Sequence, residues 1–207
     1  MRPYPPAEFT EVSYRPGRPD FIVAHELMIW ATSSFIDPEG EFANPDHEHL
    51  QHASLGFLWT RVPNSRGMRS IVATAELGTP MGMGKWRKAR AEQQVREWFG
   101  HVPDFILTFD ANYMAQADDA TFCAVVEHEL YHCAQERDEY GAPKFRKSGL
   151  PAFAMRGHDI EEFVGVVRRY GARAAGVEAM VDAAQRPPEI ARAAVAELCG
   201  TCMLKAA

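Results

Sequence analysis

Long apolar runs are missing from these 207 residues. None approaches the ~18 residues a membrane span needs, so no membrane partner is expected. The opening Met1-Arg2-Pro3-Tyr4-Pro5-Pro6 lacks the apolar stretch of a signal peptide, which makes the cytoplasm the expected location. Cysteine is scarce: the chain has four, too few to read as a disulfide framework and consistent with a reducing compartment. Positive charge is lacking too. The net charge of −6 excludes a global field that would draw the protein onto nucleic acid or anionic lipid, so nucleic acid is not expected as a partner. The local basic run Lys85-Trp86-Arg87-Lys88-Ala89-Arg90 reads as a solvated helix start. There is no internal repeat and no low-complexity tract.

What remains is the composition of a globular chain long enough to bury a core. Residues 1–19, rich in Pro and Arg, read as an extended arm, and 20–207 as a single domain. Asp20 can cap a helix from Phe21 to about Ser34. A polar loop covers 37–52. Alternation from Ala53 to Thr60 predicts a first strand, and Ser70 to Leu77 a second. Pro63-Asn64-Ser65-Arg66-Gly67 turns between them, which suggests an antiparallel pair. A helix from about Lys85 to Phe99 comes next, then a third strand, Asp104 to Asp110. The best-defined helix starts near Ala117-Asp118-Asp119 and runs to about Glu136. An irregular stretch, 137–157, leads to a helix from about Asp159 to Tyr170, and two short helices broken at Pro187-Pro188 finish the chain. The fold class is α+β: a small, mainly antiparallel sheet packed against helices.

The chemistry lies on the well-defined helix. His128 and His132 are four apart, so both imidazoles share one helix face and can bind one ion. Glu129 can reach a water on that ion without being a ligand and act as general base. This is the H-E-x-x-H arrangement of zinc metallopeptidases. The core face of the helix is carried by Phe122, Val126, Leu130 and Cys133, so the histidines are not there simply to fill the core. A catalytic zinc needs a third protein ligand and an open position. His158 is favoured, with Asp159, Glu161 and Glu162 as alternatives in the same short run.

Other candidates read as structural. His25-Glu26-Leu27-Met28-Ile29 has Ile where a second ligand would be needed, which assigns His25 to structure. His47, His49 and His52 fit no helix-borne site; lining the substrate path suits them better than a second metal. Cys123 and Cys133 read as core cysteines. Cys199-Gly200-Thr201-Cys202 is a lone C-x-x-C with no mechanism of its own.

The stretch Val125-Val126-Glu127-His128-Glu129-Leu130-Tyr131-His132-Cys133, with His158-Asp159-Ile160-Glu161-Glu162-Phe163 and Arg168-Arg169-Tyr170-Gly171, resembles the metallopeptidases encoded by bacteriophages and prophages. The resemblance runs from about Phe21 to the terminal Cys-Gly-Thr-Cys and implies location in the bacterial host cytoplasm. In layout the chain is also similar to the SprT-like proteases, a zincin-like arrangement. Their His-Gly-x-x-Phe element supplies the third ligand, which maps that role onto His158. Here Asp-Ile-Glu-Glu replaces Gly-x-x and the preceding loop is longer. Likeness to regulatory proteases with a downstream glutamate would point instead to Glu161 or Glu162.

The expected function is zinc-dependent hydrolysis of a protein or peptide lying extended along a sheet edge, the third strand, Phe105 to Phe109. The alternative is a non-catalytic, zinc-stabilised binding or regulatory protein. Glu129 favours catalysis, because a structural site has no use for a carboxylate beside an open position. A nucleic-acid-associated protease rests only on the SprT likeness and the basic run, and the acidic net charge argues against it.

Overall fold

The computed structural model describes residues 1–10, 17–161 and 164–188. By its internal contacts the chain divides into two compact units, one from Met1 to Arg156 and one that begins at Gly157.

In chain order the first unit contains α1 (Ala7–Thr10), β1 (Phe21–Val23), α2 (His25–Ala31), a π turn over Thr32–Ile36 and a 3-10 segment over Pro45–His52. Then come β2 (Leu55–Thr60), β3 (Asn64–Arg66), β4 (Arg69–Ile71), β5 (Ala73–Leu77), α3 (Lys85–Phe99), β6 (Phe105–Asp110), α4 (Ala111–Gln116), α5 (Asp119–His132), β7 (Cys133–Gln135) and β8 (Phe153–Met155). The second unit holds α6 (Val164–Ala174) and α7 (Glu178–Gln185). No described helix is long and apolar enough to cross a membrane.

The main sheet has the order β1-β2-β6-β5, with antiparallel outer pairings and a parallel β2–β6 pair at its centre. The fold class is α+β with a small, mainly antiparallel sheet, as the sequence implied. Period-two alternation sends Phe57, Trp59, Phe105, Leu107 and Phe109 to one face, where they form one core with Leu27, Phe35, Met114, Phe122 and Leu130. Leu58 and Ile106 point to the other face and meet Val95 of α3. Gly56 permits the close approach there: a Cβ at this position would lie 2.8 Å from the Phe99 ring.

Several expectations change. Phe21–Val23 is a strand rather than the start of a helix, because it pairs with Leu58–Thr60. The first and second expected strands are not neighbours, since β6 lies between β2 and β5. The expected turn at 63–67 is instead the first arm of a small hairpin. Its two-residue turn, Gly67-Met68, has both φ angles positive, at 58° and 61°, the geometry whose twist suits a tight hairpin. The third expected strand, β6, is interior, so it cannot be the substrate edge. That open edge belongs to β5, which among the described residues pairs only with β6.

The expected arm at 1–19 contains the single turn α1, and Phe9 is buried in the core. Arg2 pairs with Asp119 at 2.8 Å, and its guanidinium lies over the Phe122 ring.

Candidate metal centre

Helix α5 starts at a cap. Asp118 accepts a hydrogen bond from the Thr121 amide at 2.7 Å, which satisfies one of the free N–H groups of the first turn. Phe122, Val126, Leu130 and Cys133 are all fully buried, so the helix docks on the face expected. It ends at His132 rather than near Glu136. Cys133–Gln135 pairs as β7 with Phe153–Met155 inside the stretch expected to be irregular.

The two helix histidines face each other, with Nε2 of His128 3.1 Å from Nε2 of His132. Two bonds of 2.0–2.1 Å from a tetrahedral ion would set such nitrogens about 3.3 Å apart, so the pair is already near the spacing for a shared metal. Nδ1 of His132 lies 2.6 Å from the carbonyl oxygen of Arg156. A carbonyl only accepts, so Nδ1 carries the proton, and the neutral ring presents its Nε2 lone pair.

Glu129 is completely buried, and among the described residues neither carboxylate oxygen has a hydrogen-bond partner. Burial pushes its pKa up to about 8; the Ala75 backbone amide on β5 pulls weakly the other way without reaching hydrogen-bond geometry. A buried carboxylate with no partner costs stability. A cation at the neighbouring imidazoles, with its water, would supply what the carboxylate lacks. The residues of α5 therefore fit a metal, with His128 and His132 each offering one nitrogen to such an ion.

His158 is the second residue of the second unit. Within that unit its Nδ1 is 3.8 Å from Oε1 of Glu161. Glu162, Cys199 and Cys202 lie outside the described residues.

Sequence reasoning missed the segment that grips α5. Asn44 caps the 3-10 segment by accepting from the Asp46 amide. Its side-chain amide donates to Glu127 Oε1 and to the Tyr131 hydroxyl, both at 2.8 Å. Tyr131 donates in turn to Asp46 at 3.2 Å. Burial tends to raise the pKa of Glu127, but the neighbouring His47 ring and Asn44 amide outweigh it and hold the carboxyl below its usual value. His47 is buried with its ring edge-on to Tyr131. His49 Nε2 lies 2.7 Å from the Cys133 carbonyl. Residues 127, 131 and 133 thus fix the helix around His128 and His132. The only sequence signal was the cluster of His47, His49 and His52, together with the Asn44-Pro45 cap.

A family model described as "Putative phage metallopeptidase" matches residues 28–185. The chain belongs to that family. No curated protein and no solved structure matches it. The match to the phage metallopeptidases spans both helix histidines, Glu129, the gripping segment and His158, so the whole candidate centre falls within the family's common region.

Proposed function

We propose that this chain is a zinc peptidase in which His128, His132 and His158 hold the ion, Glu129 is the general base and the fourth position is left to water. The observation that carries the reading is Glu129, a buried carboxylate without a partner among the described residues, one residue from the first of two imidazoles set at ligand spacing. A structural zinc site would not need it. Chain connectivity favours His158. Arg156 is tied to His132 by two hydrogen bonds, from its own amide and through its own carbonyl, and two residues further on the chain can have moved no more than about 7 Å.

Zinc, when bound, supplies Lewis acidity that lowers the pKa of water and polarises a carbonyl. Glu129 takes the proton from the attacking water and returns it to the departing amine nitrogen. Its dry surroundings strengthen its attraction to nearby positive charge. The Arg156 carbonyl holds His132 in one tautomer throughout. A peptide lying along the open edge of β5 would pass close to Glu129, because Ala75 of that strand is the residue whose amide acts on the carboxylate. The test is elemental analysis with a broad peptide screen. One zinc per chain, and cleavage that stops with chelator and returns with zinc, is expected. A chain that takes up no transition metal would sink the reading. A closed site that binds zinc tightly but hydrolyses nothing would favour a non-catalytic binding or regulatory protein.

A further inference from the structure

A groove of about 790 Å³ lies just past the end of α5. Asp46, Glu48 and His49 stand on one wall, and β7 with β8 forms the other side. The volume is in the range of ligand sites. It adjoins the C-terminal end of α5, since Arg156 and His49 both line it and both hold the turn at His132 and Cys133.

Among the described residues, strand β7 is paired on one side only. The Arg156 amide donates to the His132 carbonyl at 2.9 Å, and the Glu136 amide to the Ala152 carbonyl at 2.7 Å. In an antiparallel ladder the polar backbone groups alternate from edge to edge, so residues 133 and 135 turn theirs away from β8. Cys133 bears this out, because its carbonyl is met from the groove wall by His49. Two residues on, Gln135 turns its amide N–H and carbonyl to the groove. Neither has a backbone partner outside the β7–β8 ladder among the described residues. Such an edge is a template for an added strand.

The charges in the groove are unequally engaged. Glu136 is paired with Lys144 at 2.6 Å. The Arg137 guanidinium donates to the Gly141 carbonyl at 2.7 Å, and that of Arg156 lies over the Tyr131 ring. The Asp46 carboxylate accepts the Tyr131 hydroxyl, a neutral donor, and Glu48 has no ion-pair partner among the described residues. The wall opposite β7 is therefore acidic and exposed to an incoming side chain.

We propose that this groove binds an extended peptide, adding it as a strand to β7 at Gln135 and placing a basic side chain against Asp46 and Glu48. As the run of substrate on one side of the cleaved bond, it rests on the metallopeptidase reading, but its test needs no turnover.

The probe is a pair of fluorescein-labelled extended peptides, one containing Lys and Arg, the other with Gln in their place. Binding to zinc-loaded Glu129→Gln protein is read by anisotropy. In that background Gln135→Pro removes an N–H that makes no bond to β8, a change an edge strand tolerates, whereas Gln135→Ala keeps it. The expected result is binding about tenfold weaker for Gln135→Pro than for Gln135→Ala, the loss of one hydrogen bond, with the same thermal unfolding. Glu48→Gln should erase most of the preference for the basic peptide. Equal affinities for the two Gln135 variants, no basic preference, or no peptide binding would each overturn the proposal. If this pattern holds while the wild type cleaves nothing, the groove stands and the peptidase reading falls. If the wild type cleaves and Gln135→Pro cleaves equally well, the reverse follows.

Discussion

The carbonyl oxygen of Arg156 lies 2.6 Å from Nδ1 of His132, across 24 residues of chain. This contact ties the end of α5 to the strand that leads into His158. It also sets the tautomer in which Nε2 carries the lone pair. The rigidity of that corner decides how well the imidazoles are aimed.

Asn44 holds it from the other side, through Glu127 and Tyr131. Asn44→Ala removes both bonds and leaves Glu127 partly buried with fewer donors. A loss of about 1–3 kcal/mol of stability is expected, with zinc affinity lower by about 10-fold or more. Chemical denaturation and competition with a chromophoric chelator measure the two effects. An unchanged zinc affinity would show that the grip is only structural.

Glu129 gives the metal-free protein a defined pH dependence. Its pKa is about 8 in the folded state against 4.5 as the ordinary value, so the folded state binds the proton more tightly. Its burial has no ionisation cost below the lower value. The penalty grows as pH rises between the two and is complete above about 8. Glu129→Gln lacks this penalty. In chelator, the variant should gain stability over the wild type from pH 5 to pH 9, by up to a few kcal/mol. A stability difference that stays flat with pH would mean that the carboxylate is not desolvated.

His158→Ala should weaken zinc binding by more than about 100-fold, beyond the usual effect of losing an outer partner of a ligand. Glu161→Gln should change it little. If instead Glu161→Gln or Asp159→Asn releases the metal while His158→Ala keeps it, the third ligand is a carboxylate.

The helix that carries His128, Glu129 and His132 was legible because its apolar positions repeat at helical spacing, and Phe122, Val126, Leu130 and Cys133 are all buried as that pattern requires. Its end was not. Cys133-Ala134-Gln135 is compatible with helix, and what stops it is pairing with Phe153–Met155, a partner some 20 residues away. Phe21–Val23 reads as helix for the same reason, since only its pairing with β2 makes it a strand. The place of β6 at the centre of the sheet follows from a parallel pairing with β2, which local alternation cannot reveal. Of the candidate site, the histidines and Glu129 were readable as residue types. The Arg156 carbonyl and the β5 and β7 edges are backbone features, and no residue type announces them.

The most direct measurement compares the wild type with Glu129→Gln, both loaded with zinc, on one cleavable peptide. The expected result is equal zinc content and a kcat lower by roughly 100- to 10,000-fold in the variant, the range a positioned base contributes. Equal zinc and near-equal kcat would contradict the assignment of Glu129, and with it the explanation of why a carboxylate lies buried beside His128.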